Sequence, residues 1–178
     1  MATATRIADV QAVEAFLAEP RTLDGPPPTW GDSAWGGEYA ATWVVLDSLS
    51  APVGLLKFVA QKTDTSVASI NVIFQGREVW RVDLDHDHIC HSNPHDGYLM
   101  HLDALVCGSH EHAWPINKEH LLVQDQWRLR YRRALPPQVR RLEQGLYWLA
   151  NQINLTIHPD QRGFDGPRRA DLFDRSGL

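Results

Sequence analysis

Stretches in which apolar and polar residues alternate dominate the middle of this 178-residue chain, with only short turn signals between them. Alternation with a period of two is typical of half-buried β-strands. Because a parallel pair needs a crossover connection of roughly a dozen residues or more, these short intervals predict antiparallel neighbours. The predicted strands are residues 39–49, 53–61, 67–75, 78–85 and 98–107.

The third and fourth predicted strands can be aligned by their faces. Residues that oppose each other in a sheet must share a face, so the apolar Val72 is expected to pair with Trp80. That register places Asn71 beside Arg81 on the polar face, and it requires a three-residue loop at residues 75–77.

Two helices are predicted to flank this sheet. Residues 5–19 and residues 137–156 both place apolar side chains at helical spacing, the second after a Pro-Pro pair. Residues 127–132 alternate apolar residues with arginines, which favours a sixth strand. The sequence therefore predicts an α+β fold, with a mainly antiparallel sheet of about five or six strands covered by an N-terminal and a C-terminal helix.

The length of the chain fits one ordinary domain. We assign residues 1–158 to that domain. Residues 159–178 are rich in Asp, Arg, Gly and Pro and are predicted to be a loosely held C-terminal tail.

The charge pattern bears on partners. A formal net charge of -5 argues against nonspecific binding to duplex DNA, which depends on Lys and Arg neutralising phosphates. Residues 126–142 nevertheless hold six arginines and no acid. Three of these, Arg128, Arg130 and Arg132, are candidates for binding a nucleic acid, and the alternative is a solvated basic face.

The expected location is the cytoplasm. No apolar run approaches the roughly 18 residues that a membrane span needs, and the first residues do not resemble a signal peptide. Cys90 and Cys107 are expected to be reduced thiols, since a chain of this size has little need of a disulfide. An alternative is a structural zinc site that uses both cysteines.

Histidines are concentrated in one region, because eight of the nine lie between His86 and His120. Convergence of several imidazoles on one ligand explains such clustering better than eight independent structural roles. His110 and His112 form the sharpest pair, since alternate residues of a strand project to one side. They could bind catalytic zinc with a third ligand from another residue. The candidates for that third ligand are His101, Asp103, His91 and His120.

Metal-free chemistry is the leading hypothesis for the same region. His91 and His112 could act as acid and base, Arg81 could clamp a phosphate, and Asp83 could orient a histidine. Two imidazoles beside an arginine are sufficient for cleavage of RNA through its 2′-hydroxyl. The candidate catalytic residues are Arg81, Asp83, His91, His110 and His112.

The order Arg-x-Asp, His-x-Asn-Pro and His-x-His over residues 67–120 resembles the signature of a small uncharacterised bacterial family. It begins at Arg81, continues at His91 and ends at His112. The same region is distantly similar to the TumE-like toxins of bacterial toxin and antitoxin pairs. That resemblance implies an enzyme that acts on RNA and a protein partner such as an antitoxin.

Three functions follow as expectations. The first is a toxin-like ribonuclease that needs no cofactor. The second is a zinc-dependent hydrolase built on the His-x-His pair. The third is a non-enzymatic antitoxin, immunity or anti-defence protein, in which an acidic body covers the basic surface of a partner.

Overall fold

The sheet contains most of the strands in the computed structural model, which describes residues 4–167. In chain order the strands are β1 (Arg21–Leu23), β2 (Gly31–Asp32), β3 (Glu38–Leu46), β4 (Pro52–Gln61), β5 (Ala68–Phe74), β6 (Arg77–Leu84), β7 (Cys90–Ser92), β8 (Leu105–Cys107), β9 (His110–His112), β10 (Arg133–Ala134) and β11 (Leu155–Thr156). The α-helices are α1 (Ala4–Ala18), α2 (Trp114–Val123) and α3 (Leu142–Gln152), and short 3₁₀-helices span His95–Met100 and Pro159–Gln161.

Strand order confirms the predicted α+β class and gives a larger sheet than expected. The order is β10-β9-β6-β5-β4-β3-β1-β11, with β2 paired to β3, and β7 and β8 form a separate hairpin. Neighbours in the nine-stranded sheet are antiparallel except for the short β1 and β11 pair. The additional strands have two or three residues each, too short for a period-two pattern to reveal them.

Helices cover the apolar face of the sheet, as the sequence predicts. Gly145 of α3 lies against Ile70 and Val82, where an added Cβ would stand 3.4 Å from both side chains. Phe16 of α1 stacks on Phe74 with ring centroids 4.4 Å apart. Each large side chain fully buried at this face contributes about 1.5–3 kcal/mol to folding.

The predicted register of β5 and β6 is confirmed, while the predicted loop is wrong. Val72 pairs with Trp80, and Asn71 pairs with Arg81. The connection has two residues, Gln75 and Gly76, both with positive φ, as type I′ hairpin turns require. A register shift between Val72 and Ile73 lets Val72 pair with Trp80 despite the shorter loop.

The strand predicted at residues 98–107 is wrong over most of its length. Residues 95–100 form a 3₁₀-helix that ends at His101, whose φ of 56° is left-handed, and only Leu105–Cys107 is a strand. Tyr98 and Leu99 are both exposed, so the alternation here marks no buried face.

The sixth strand predicted at residues 127–132 is also wrong. Two asparagine side chains bond this irregular segment in place of neighbouring strands. Asn117 accepts hydrogen bonds from the backbone N–H groups of Arg130 and Tyr131 and donates to the Tyr131 carbonyl. Asn93 accepts from the Arg132 N–H and donates to the Arg132 carbonyl. Backbone groups satisfied in this way need no ladder.

The predicted C-terminal helix is too long at both ends. Residues 137–141 are a turn followed by irregular backbone, and α3 begins after Arg141, whose N–H donates to the Gln144 side chain. Asn154, with a φ of 53°, follows the end of the helix. The first part of the expected tail is packed: Phe164 is buried and stacks against Trp30. Residues 168–178 lie outside the described residues.

The cysteines differ from expectation. Cys90 and Cys107 face each other in the β7 and β8 hairpin and form a disulfide, with 4.0 Å between their Cα atoms. The prediction of two reduced thiols and the alternative of a zinc site that uses them are therefore wrong. Their pairing follows from a hairpin that the sequence pattern did not show. Disulfides are rare in the cytosol, so this disulfide gives no support to the cytoplasmic location, which stays a prediction.

No helix within residues 4–167 has the length and apolar character to span a membrane.

Candidate functional site

The candidate site lies where the long strand β6 meets the short strand β9. Asp83 pairs with His110, and Arg81 pairs with His112. Paired residues project to the same face, so the two strands bring these four side chains together on the face opposite the helices. Strand β9 is buried on both faces, and the exposed fractions of His110 and His112 are 2% and 1%.

The carboxylate of Asp83 is the centre of the cluster. Its Oδ2 lies 3.3 Å from Nε2 of His110 and 3.5 Å from Nε2 of His112. Nε of Arg81 donates to the same Oδ2 over 2.8 Å, and Nη2 of Arg81 donates to Nε2 of His112 over 2.8 Å. Arg81 thus holds Asp83 and His112 together through two hydrogen bonds.

The contacts define the tautomer of each ring. Nδ1 of His110 lies 2.9 Å from the carbonyl oxygen of Gly108 and must donate its proton there. Nε2 of His112 accepts from Arg81, so a neutral His112 carries its proton on Nδ1. Within residues 4–167, Nδ1 of His112 is buried and has no hydrogen-bond partner.

Electrostatics keep the cluster in defined charge states. Burial, together with the charge of Arg81, lowers the pKa of His112 to about 3, so this ring is neutral near pH 7. Burial by itself would raise the pKa of Asp83, but the hydrogen bond from His110 and the charge of Arg81 outweigh it and lower that pKa. Asp83 is therefore an anion beside the neutral His112.

His91 belongs to a neighbouring group. Its Nε2 lies 3.1 Å from Oδ2 of Asp85, and its ring centroid lies 4.8 Å from that of His110. Asp85, His91 and His110 form a second set of side chains close enough to hold a metal ion. Among the described residues, no hydrogen bond or ring contact joins His91 to His112, which were expected to act as an acid and base pair.

A cleft of about 360 Å³ opens beside His112. Four of its lining residues are arginines, against a single carboxylate, that of Glu78. The arginines are Arg81, Arg128, Arg130 and Arg132, and we call the space between them the arginine cleft. Burial and the nearby charge of Arg81 lower the pKa of Arg132.

The side chain of Asn93 positions one wall of this cleft. Asn93 and Pro94 of the segment after β7 line the cleft, and Asn93 bonds to the backbone of Arg132. The predicted site residue Arg81 thus meets the predicted nucleic-acid-binding arginines in one place.

Other predicted ligands lie apart. Asp103 and His101 are exposed. The ring of His120 stands edge-on to Tyr131 with 5.1 Å between centroids, and its Nε2 lies 3.4 Å from Nη1 of Arg130. Asp83 is the third side chain that could bind a metal ion together with His110 and His112. The Arg-x-Asp spacing marked Asp83 as a site residue, but only the pairing of β6 with β9 shows that it faces both histidines.

Comparisons with protein-family models, with curated proteins and with solved structures gave no significant match. The resemblance to TumE-like toxins and to the bacterial family therefore stays a prediction.

Proposed function

We propose that this protein is a phosphodiester-cleaving enzyme that acts on RNA, with the substrate phosphate bound in the arginine cleft. The observation that carries the proposal is the convergence of four arginines on a cleft that also contains His112. Guanidinium groups bind phosphate oxygens through paired hydrogen bonds and stabilise the charge that develops at phosphorus during cleavage. A single carboxylate in the lining leaves the cleft with an excess of positive charge.

The cleft favours a single strand over a duplex. Its arginines lie in one pocket rather than along an extended surface, while the whole protein carries a formal net charge of -5. Nonspecific binding to a duplex depends on many separate phosphate contacts. Binding of a single strand needs a local positive groove, and the arginine cleft has this character.

The proposed reaction transfers the phosphoryl group within the RNA. The 2′-hydroxyl oxygen attacks phosphorus, its proton passes to a base, the bond from phosphorus to the 5′-oxygen breaks, and the leaving 5′-oxygen takes up a proton. The products are a 2′,3′-cyclic phosphate and a 5′-hydroxyl. His112 is the imidazole that lines the cleft; it is neutral, and its Nε2 can accept a proton once the guanidinium of Arg81 turns away from it to the phosphate. With a pKa of about 3 it is a weak base, so stabilisation of charge by the arginines carries most of the proposed catalysis.

The proposal is tested with a labelled single-stranded RNA and the same strand with 2′-deoxy substitutions. We expect cleavage of the RNA and none of the deoxy strand. Arg132→Gln should weaken RNA binding by about tenfold or more and make the salt dependence shallower by about 0.7 per lost phosphate contact. Arg140→Gln is the matched control, because Arg140 lies in the same basic stretch, bonds Asp87 and does not line the cleft.

Two results would overturn the proposal. If RNA binds to the wild type and to Arg140→Gln, more weakly to Arg132→Gln, and is cleaved by none of them, the cleft is a binding site and the protein is not a ribonuclease. If none of the proteins binds RNA at low salt, the arginine cleft does not recognise nucleic acid at all.

A further inference from the structure

Three acceptor atoms converge at the centre of the site. A hydrogen bond from His110 to Asp83 needs a proton on Nε2; without that proton, Nδ1 of His110 still donates to Gly108 and the lone pair of Nε2 faces Asp83. His112 also presents the lone pair of Nε2, since it accepts a hydrogen bond there. The third atom is Oδ2 of Asp83, an anion. Three such atoms repel one another unless a cation lies among them.

The separations of these atoms fit a small divalent ion. Oδ2 of Asp83 lies 3.3 Å from Nε2 of His110 and 3.5 Å from Nε2 of His112. In a tetrahedral zinc site with bonds of about 2.0–2.1 Å, neighbouring ligand atoms lie about 3.3–3.4 Å apart. All three ligand atoms lie within 4.8 Å of one another, so shifts of side chains would bring them into bonding distance of one ion.

The surroundings of His110 are those of a metal ligand. A ligating histidine commonly donates its other ring N–H to a backbone carbonyl, which fixes the ring, and His110 does so with Gly108. Both histidines are nearly inaccessible to solvent and project from a strand that is paired on both sides. His112 differs from His110 at Nδ1, because the buried Nδ1 of His112 has no partner among the described residues.

Arg81 takes the place of the cation in this structure. Its guanidinium donates to Asp83 and to His112, the same two atoms that a metal ion would use. A guanidinium and a divalent ion cannot both occupy that space, because two positive charges at such short range repel strongly. The Arg81 side chain is 33% exposed and also lies 3.8 Å from Glu78, which lines the cleft. It therefore has room to turn toward the cleft.

We propose that Asp83, His110 and His112 form a divalent-metal site of the zinc class, and that Arg81 competes with the metal for it. Binding of the metal releases the guanidinium of Arg81 into the arginine cleft, next to Glu78 and the other arginines. This inference rests on the proposed function and deepens it. Because His112 lines the cleft, a metal ion held by these three residues would lie beside the cleft, where it would polarise a phosphate oxygen or activate a hydroxyl. His112 is then a ligand, and Arg81 is free to contact the phosphate.

Metal binding by the purified full-length protein tests the inference without reference to activity. After treatment with a chelator, the protein is titrated with Zn²⁺ by calorimetry, and bound metal is measured by elemental analysis. We expect one Zn²⁺ per chain in the wild type. Asp83→Asn, His110→Ala and His112→Ala should each weaken binding by more than the roughly 10-fold to 100-fold typical of losing a residue that only supports a ligand. Arg81→Gln should strengthen binding by at least about tenfold, because it removes a competing charge.

Two controls separate this site from its neighbour. His91→Ala should leave the affinity for Zn²⁺ nearly unchanged, because His91 belongs to the Asp85 group. His86→Ala serves as a general control, since His86 is exposed and bonds Asp64. In wild-type protein, NMR signals of the His110 and His112 rings should shift on addition of Zn²⁺ while the His86 signals stay in place. This measurement needs no variant, so it stands even where a substitution impairs folding.

The outcomes for the metal and for the function are distinct. If wild type and Arg81→Gln both fail to bind Zn²⁺, or if His91→Ala abolishes binding while Asp83→Asn does not, the proposed metal site is wrong. RNA cleavage that persists in chelator would then leave the proposed function intact. If Zn²⁺ binds as expected and RNA is neither bound nor cleaved, the metal site holds and the proposed function fails.

Discussion

Asn117→Ala should destabilise the protein strongly and loosen one wall of the arginine cleft. Asn117 is fully buried on α2, and its side chain makes four hydrogen bonds. It donates to the carbonyls of Ala113 and Tyr131 and accepts from the N–H groups of Arg130 and Tyr131. An alanine can replace none of these contacts.

The magnitude follows from the groups left behind. Tyr131 is buried, so its N–H and its carbonyl both lose a partner where water has little access. Each buried group without a partner costs about 1–3 kcal/mol, which gives a loss of about 2–6 kcal/mol in the free energy of unfolding. Against a typical total of about 5–15 kcal/mol, such a loss brings the domain close to unfolding.

Urea denaturation followed by tryptophan fluorescence measures this loss. Asn151→Ala is the matched control, because Asn151 is exposed on α3 and alanine is the better helix former. We expect its free energy of unfolding to stay within about 0.5 kcal/mol of the wild-type value. A loss below about 1 kcal/mol for Asn117→Ala would refute the claim that this side chain holds residues 130 and 131 in place.

Two further perturbations test other parts of the fold. Replacing both Cys90 and Cys107 by alanine should lower the free energy of unfolding by about 3 kcal/mol, which is the value for a closed loop of about 15 residues. The wild type in a reducing agent should melt at the same temperature as this double variant. Equal melting temperatures with and without the reductant would contradict the disulfide. Glu111→Gln removes the charge of the buried Glu111 that pairs with the partly exposed Arg133 and should cost about 1–3 kcal/mol in urea denaturation. Glu119→Gln, at an exposed position, should have no measurable effect.

The central strands could be predicted because the alternation of apolar and polar residues that marks them lies within each strand. Alternation fixes which residues share a face, and the face in turn fixes the register, so the pairing of Asn71 with Arg81 followed from sequence. The same reasoning fails for residues 98–107, where alternate apolar residues such as Tyr98 remain exposed. Alternation shows a possible face but does not show that anything covers it.

The wall of the cleft could not be predicted for a different reason. Residues 127–132 have the pattern of a strand, but Asn93 and Asn117 from distant parts of the chain satisfy their backbone groups. No local pattern indicates which asparagine will reach which backbone group. The arginines were recognised as candidates from composition, and their convergence on Arg81 depends on these two side chains.

Strand β9, residues His110–His112, belongs both to the buried core and to the candidate site. The sequence suggested two histidines on a polar strand face, but all three residues of β9 are buried. Glu111 points to the helix side, where Trp80, Trp148 and Arg133 donate to its carboxylate. The two histidines point to the other side, against Asp83. Contacts on both faces hold the strand, so the imidazoles keep their separation whether or not a ligand is bound. A site that binds a small ion requires this rigidity, because an error of about 0.5 Å in the position of a ligand already disturbs function.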